Sequence, residues 1–251
     1  MSSITAQSLN QADESSSEIV DASSITEIIG LASDVNTAYS SDGIIGLGDE
    51  IVTLSDTTLV VSVLNILDGH TSGVINASSI NTLAGSAADL ISAYDSGGIA
   101  GLGNETVNVS SGHATTDQAN TLADATSGVV TATISDGDMA TLAGLNETGN
   151  AYSITITDNS VAAAALNALD GKTSVAINAS NITTLTGAAA DLNTAYTANG
   201  NGSITGLGNE AATLSDTSLA VSVLGCRLCL LRGCLSPISR FLACLPAAFC
   251  A

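Results

Sequence analysis

The chain has 251 residues, of which 24 are acidic and 4 are basic, giving a formal net charge of −20 at pH 7. A field of this sign repels nucleic acid and anionic membrane surfaces, so we expect the chain to bind neither. Apolar residues make up 45% of the chain, whereas aromatic residues make up 2% and Trp is absent. The chain can therefore bury an aliphatic core, while the scarcity of rings argues against aromatic platforms for sugars, bases or cations.

Residues 1–16 precede the repeated part of the chain, and we expect them to form a flexible segment. They contain no basic stretch followed by an apolar stretch, so the sequence predicts no classical signal peptide. Nowhere do 18 uncharged apolar residues follow one another, so no membrane-spanning helix is predicted.

Residues 17–225 are built from short elements that recur in the same order. Three of them recur with little change: residues 21–25 as 76–80 and 178–182, residues 46–50 as 101–105 and 206–210, and residues 64–69 as 166–171. A tyrosine ends the segment that follows each copy of the first element, at Tyr39, Tyr94 and Tyr196. The spacings of 55, 102 and 160 residues predict an array of four parts, at 17–71, 72–127, 128–173 and 174–225.

Each long repeat contains two pairs of a strand and a helix. In the first pair, a β-prone run at 73–76 precedes apolar residues at helical spacing, at positions 83, 87, 90, 91 and 94. In the second pair, a strand at 51–54 precedes Ser-Asp-Thr, which offers a helix N-cap. The helix face that follows comprises positions 59, 60, 63, 64 and 67, and Gly69 supplies the C-cap.

Strands and helices that alternate in this way indicate an α/β protein, with parallel strands joined by helical crossovers that are nearly always right-handed. Two architectures fit this pattern. An irregular doubly wound parallel sheet would bury both faces of its strands, yet these strands are short and carry polar residues at alternate positions. We therefore predict a right-handed α/β solenoid of short parallel strands alternating with helices.

The repeat resembles those of very large bacterial surface or secreted proteins, including proteins of marine cyanobacteria. The resemblance rests on the elements Asn-Ala-Ser-x-Ile, Gly-Leu-Gly-Asn-Glu and Leu-Asn-Ala-Leu-Asp-Gly, and it covers residues 17–225. It implies an extracellular or cell-surface location and a structural or adhesive role without catalysis. It also implies surface or matrix components as partners, together with neighbouring repeats of a longer chain.

Two other functions stay open at this point. A calcium-stabilised secreted repeat would draw on oxygen ligands, and the best candidates are Asp136 with Asp138 and Asp49 with Glu50. Neither cluster matches the spacing of a known calcium loop. An α/β enzyme of unrecognised type would need a nucleophile and a base, and the sequence offers no recognisable set. Calcium is thus the single cofactor considered, and no catalytic residue is assigned.

Other recurrent polar residues have structural explanations. We expect Gly46-Leu-Gly48 and its copies to form a tight helix-to-strand turn in which glycine permits a positive φ. The recurrent aspartates are better explained as helix caps than as ligands, at positions 56, 158 and 216. His70 and His113 are expected to be solvated surface residues.

The composition changes abruptly inside a repeat element, after Leu224. All five cysteines lie beyond this point, at 226, 229, 234, 244 and 250, together with both phenylalanines and three of the four basic residues. Cys226 and Cys229 have the spacing of a zinc or redox pair, but no second pair follows. The change indicates that residues 226–251 are an aberrant Cys- and Leu-rich tail produced by a shifted reading frame.

Overall fold

A computed structural model of the chain describes residues 2–218, so the predicted tail at 226–251 lies outside the described residues. The chain divides into two compact units, Met1–Thr133 and Ile134–Ala251. Within the described part, eight helices alternate with short strands that pair in parallel, which confirms the predicted α/β class. None of the helices between residues 2 and 218 has both the length and the apolar character needed to cross a bilayer.

The first unit contains five helices and eleven strands among its described residues. In chain order these are β1 (Ser3–Thr5), α1 (Ala6–Ser15), β2 (Val20–Asp21), β3 (Glu27–Gly30), α2 (Ala32–Ser40), β4 (Ile44–Ile45), β5 (Ile51–Leu54), β6 (Thr58–Val60), α3 (Val61–Asp68), β7 (Ile75–Asn76), β8 (Thr82–Ser86), α4 (Ala87–Asp95), β9 (Ile99–Ala100), β10 (Thr106–Ser111), α5 (Thr116–Ala125) and β11 (Val130–Thr133).

The second unit continues the same alternation up to residue 218. Its elements are α6 (Met139–Leu142), β12 (Ala151–Ser153), β13 (Ser160–Ala162), α7 (Ala163–Asp170), β14 (Ile177–Asn178), β15 (Thr184–Gly187), α8 (Ala189–Asn201), β16 (Ile204–Thr205) and β17 (Ala211–Leu214).

Residues 3–15 form β1 and α1, where the sequence predicted a flexible segment. The Thr5 side chain caps α1 by accepting a hydrogen bond from the Ser8 backbone N–H. Ala6 and Leu9 are buried, and they are the two anchors that hold this helix to the unit. Two apolar anchors in a polar segment are too few to produce a recognisable helical period, which is why the sequence pattern missed them.

Paired strands keep a nearly constant offset along the sequence. In the first unit, Thr82 of β8 pairs with Thr58 of β6 and Thr106 of β10, 24 positions away in each direction (82 − 58 and 106 − 82). In the second unit, Thr184 of β15 pairs with Ser160 of β13, again 24 positions away (184 − 160). Each strand therefore lies beside the equivalent strand one helix earlier or later in the chain.

The two strands that follow the Gly-Leu-Gly element are shared between neighbouring pairs. β5 pairs with β3 on one side and with β7 on the other. β10 pairs in the same way with β8 and β11. Because both edges of these strands are hydrogen-bonded, they join consecutive repeats into continuous parallel sheets within the first unit.

The helix after β5 begins later than the sequence predicted. Residues 58–60 continue as strand β6, and α3 buries Val61, Leu64 and Leu67 rather than the predicted face. Val60, which was assigned to that face, is 55% exposed. A run of Leu and Val favours extended backbone over helix, and pairing with β8 stabilises it.

The recurrent aspartates do cap helices, as predicted, but each caps a helix that precedes it. The Asp56 carboxylate accepts a hydrogen bond of 2.8 Å from the N–H of Ala32, the first residue of α2. Asp158 does the same for Met139 of α6 at 2.6 Å, and Asp216 for Ala189 of α8 at 2.6 Å. Each aspartate thus ties one helix to the strand segment that follows it.

We expect the substitution Asp56→Ala to lower the free energy of unfolding by about 1–2 kcal/mol, the usual cost of losing a helix N-cap. Denaturant titration followed by circular dichroism measures the change. Asp56→Asn is the matched control, because its amide oxygen still accepts from Ala32, and it should lose less than half as much. Equal losses for the two variants would show that the negative charge, not the cap, stabilises α2.

Asparagine side chains form a second kind of link between successive helices. The amide group of Asn36 on α2 donates to the Val63 carbonyl oxygen of α3 at 3.0 Å. The amide group of Asn65 on α3 donates to the Asp89 carbonyl of α4, also at 3.0 Å. Asn167 makes the same contact from α7 to α8 in the second unit, at 2.9 Å. These bonds fix the helices at a regular separation.

Candidate functional site

The Gly-Leu-Gly elements form the tight turns that the sequence predicted. Gly46 and Gly48 have φ values of 84° and 142°, and the copies at 101, 103, 206 and 208 lie between 90° and 133°. These are left-handed backbone conformations, which glycine adopts without steric cost. A Cβ atom at Gly46 would also lie 2.7 Å from the Ser23 backbone nitrogen, so the turn packs directly against the preceding chain.

Each turn presents its backbone N–H groups to a buried glutamate carboxylate. Glu105 is 1% exposed, and its carboxylate accepts from the N–H of Gly103 at 2.9 Å and of Asn104 at 3.2 Å. The hydroxyl of Tyr94 donates to the same carboxylate. Consecutive N–H groups in a glycine turn form a concavity that binds anions, and here the anion comes from the protein itself.

The same arrangement recurs at Glu50, which is 1% exposed. Its Oε2 atom accepts from the Tyr39 hydroxyl at 2.8 Å and from the Gly48 N–H at 2.9 Å. Glu210 in the second unit is 5% exposed and accepts from the Gly208 N–H at 2.7 Å. The Tyr–Glu pair with its glycine turn is therefore a structural element of the repeat, present three times within residues 2–218.

A threonine locks the backbone of the glutamate to the following segment. The Thr71 hydroxyl donates to the Glu50 carbonyl oxygen at 3.0 Å and accepts from the Gly73 N–H at 2.9 Å. Thr126 repeats both bonds in the next copy, to Glu105 at 2.7 Å and from Gly128 at 3.0 Å. Thr71 and Thr126 are 55 residues apart, the same distance as Glu50 and Glu105.

Burial of the tyrosines changes their acidity. Burial is the main cause that raises the pKa of Tyr94, and the bond to the Glu105 carboxylate raises it further. The pKa values of Tyr39 and Tyr196 are raised for the same first reason, and the charges of Glu50 and Glu210 add to the effect. A tyrosine beside a buried carboxylate must stay protonated, because ionisation would place two negative charges together.

We expect stability to fall as the pH rises above about 10, the pKa of tyrosine in an unfolded chain. Above that pH the unfolded chain releases tyrosine protons that the folded chain retains, so alkali favours unfolding. Denaturant titrations at pH 8, 9, 10 and 11 measure the fall. The variant Tyr94→Phe should show a shallower fall than the wild type, and identical slopes would mean that Tyr94 ionises equally in both states.

The first two repeats differ beside this element. In the first, the imidazole of His70 stacks on the ring of Tyr39, with parallel planes and centroids 5.6 Å apart. His70 is half-buried, not simply solvated as predicted, whereas His113 is exposed. In the second repeat an open cleft of about 380 Å³ lies beside Tyr94. Its walls are the ends of α4 and α5 and the turn between α4 and β9, and they include Ile91, Asp95, Leu102, Asp124 and Ala125.

The four carboxylates proposed as calcium ligands have different surroundings. Glu50 is buried against Tyr39 and Gly48, whereas Asp49 is exposed. Asp138 caps α6 by accepting from the Thr141 N–H at 2.9 Å, and Asp136 is half-buried. Over residues 2–218, no three side chains of His, Cys, Asp or Glu are grouped closely enough to hold a metal ion.

The sequence reasoning quoted both members of the Tyr–Glu pair without linking them. The signal was available, because Tyr and Glu are 11 positions apart in the first two repeats and 14 apart in the last, where α8 is longer. The cleft was missed as well, since it depends on what is absent beside Tyr94. Comparison of the chain with protein families, with curated proteins and with solved structures found no match.

Proposed function

We propose that each unit is a run of right-handed α/β solenoid coils, and that the chain is a structural or adhesive repeat segment of a secreted or cell-surface protein, without catalysis. The observation that carries this proposal is the constant 24-residue offset between paired parallel strands. In a solenoid each coil contacts its neighbours in the same way, which makes the offset equal to the length of a coil.

The sheet surfaces favour a solenoid over a doubly wound sheet. In β10, Val107 and Val109 are buried, whereas Thr106 and Asn108 on the opposite face are exposed. A doubly wound sheet has helices on both faces and buries both. The strong preference of parallel crossovers for a right hand supplies the handedness.

The use of the buried polar groups favours a structural role. The cap at Asp56, the amide of Asn36 and the carboxylate of Glu105 each bond to backbone or tyrosine groups that hold neighbouring segments together. Equivalents of all three occur in the second unit, at Asp216, Asn167 and Glu210. Groups that recur in this way serve the repeat itself.

Charge and cysteine content support a location outside the cell. The formal charge of −20 keeps a long array soluble and prevents its coils from aggregating. Residues 1–225 contain no cysteine, so the repeats are indifferent to an oxidising medium. We infer that such an array spaces or presents other segments at a surface.

Deletion of one whole repeat tests the solenoid. Residues 72–126 span 55 residues, and their removal joins Thr71 to Ser127 in the register of the intact chain. We expect the shortened protein to fold and to unfold cooperatively, because a solenoid tolerates the loss of an integral repeat. A doubly wound sheet would lose interior strands and collapse.

The matched control removes residues 72–114, which ends inside a repeat and breaks the 55-residue register. This variant should lose the folded signal in circular dichroism. If both deletions unfold the chain, the solenoid proposal fails. For the location, immunogold labelling or fractionation of the producing cells should find the protein at the surface or in the medium, and a purely cytoplasmic signal would contradict the proposal.

A further inference from the structure

The first two repeats can be superposed residue by residue around the Tyr–Glu element. Thr71 and Thr126 each donate to the carbonyl of the buried glutamate, so they are structurally equivalent as well as 55 positions apart. The residue before each threonine is His70 in the first repeat and Ala125 in the second. Ala125 therefore occupies the place from which an imidazole ring would cover Tyr94.

This difference explains the cleft. Where His70 is present, its ring covers the face of Tyr39 at a centroid distance of 5.6 Å with parallel planes. Where Ala125 replaces it, Tyr94 and Ala125 both line an open space of about 380 Å³. The cleft thus includes a site for a flat ring or a similar planar group against a tyrosine face.

Two further differences set the charge of the cleft. Asp95 stands where the first repeat has Ser40, and Asp124 stands where it has Gly69, again 55 positions apart in each case. Both carboxylates line the cleft and are exposed to solvent. Relative to the first repeat, the second has exchanged one imidazole for two negative charges around the same tyrosine.

We propose that this cleft binds a planar organic cation of the guanidinium type, stacked on the Tyr94 ring and paired with Asp95 and Asp124. Apolar side chains of Ile91 and Leu102 complete the walls and exclude water from the flat faces of the ligand. A guanidinium group is weakly hydrated and stacks on aromatic faces, and its N–H groups match carboxylates. An ammonium group is strongly hydrated and lacks the flat shape.

Titration with small probes tests the chemistry of the cleft. Methylguanidinium is compared with methylurea, which is planar and neutral, and with methylammonium, which is charged and not planar. Chemical shifts of the tyrosine ring protons are followed at pH 8 and about 0.15 M salt, where unspecific attraction to the acidic surface is screened. We expect methylguanidinium to bind at least about fivefold more tightly than either control.

An arginine derivative with blocked termini distinguishes two sources of the group. Binding equal to that of methylguanidinium assigns the cleft to a free small cation, whereas at least about tenfold tighter binding assigns it to an arginine side chain of a peptide. Both results support the proposal. Equal affinities for methylguanidinium, methylurea and methylammonium would overturn it.

Variants test the position of the site. Ala125→His should close the cleft as His70 does in the first repeat, and it should reduce the affinity for methylguanidinium at least about tenfold without changing the charge at pH 8. The double variant Asp95→Asn, Asp124→Asn leaves the cleft open and should reduce the affinity by a similar factor. Unchanged binding in either folded variant would refute the site.

Transfer of the site to the first repeat is the strictest test. The triple variant Ser40→Asp, Gly69→Asp, His70→Ala reproduces the differences beside Tyr39, and the stoichiometry should rise from one methylguanidinium per chain to two. Gly69 has φ of −75°, which an aspartate adopts freely. If the triple variant folds and still binds one cation, these three positions do not define the site and the proposal is wrong.

Discussion

Replacement of Glu105 by alanine should lower the free energy of unfolding by about 3 kcal/mol, because three donors then lose their acceptor in the interior. The backbone N–H groups of Gly103 and Asn104 and the hydroxyl of Tyr94 all point to this carboxylate. Removal of a buried negative charge relieves part of its desolvation cost, yet the unpaired donors outweigh this relief. For a chain of this length, the expected fall in Tm is about 6–12 °C.

The variant Glu105→Gln separates the two contributions. Its amide oxygen can still accept from the glycine turn, while the Tyr94 hydroxyl can turn towards its other neighbour, Thr126. We expect a loss of about 1 kcal/mol for glutamine, the difference between a charge-assisted and a neutral hydrogen bond. If glutamine costs as much as alanine in denaturant titrations, the negative charge itself holds the turn and the hydrogen-bond count does not.

The sequence revealed those features that depend on residues close together in the chain. The repeat, the positive-φ turns at Gly46 and Gly48 and the parallel α/β class all follow from local composition and order. The start of α3 was misplaced by two residues, because Leu59 and Val60 suit both a helix face and a strand. Pairing with β8 decides between the two, and a single segment carries no information about its partner.

The role of Asp56 shows where local reasoning stops. Its chemistry was recognised, since aspartate before a helix is a common N-cap. The helix that it caps, however, lies 24 residues earlier, and α3 begins without a side-chain cap. The repeat length brings Asp56 next to Ala32 in space, so the correct partner emerges only when the offset between strands is known.

The cleft beside Tyr94 could be found only by comparing two copies in three dimensions. In the sequence, the exchange of His70 for Ala125 is one of many differences between repeats. Its significance comes from the stacking of His70 on Tyr39, a contact between residues 31 positions apart (70 − 39). A scarcity of aromatic residues argued against ring platforms in general, but it gives no information on what lies over a particular tyrosine.

Substitution of Gly128 by alanine should also lower the free energy of unfolding by about 3 kcal/mol, here for steric reasons. Gly128 follows the threonine lock, and its N–H donates to the Thr126 hydroxyl. A Cβ atom at this position would lie 2.6 Å from the Glu105 carbonyl carbon and 2.9 Å from the Thr106 nitrogen. Both are backbone atoms, so no side chain can move aside, and the lock must open to admit the methyl group.

Gly97 is the matched control in the same unit, since a Cβ atom there meets no atom within 4 Å. Neither glycine has a positive φ, so steric contact alone distinguishes the two variants. We expect Gly97→Ala to be neutral or to stabilise by about 0.5 kcal/mol, because alanine restricts the unfolded chain. Equal effects of the two substitutions in denaturant titrations would mean that the backbone at Gly128 relaxes. The close approach of Gly128 to Glu105, and with it the threonine lock, would then contribute little to the stability of the repeat.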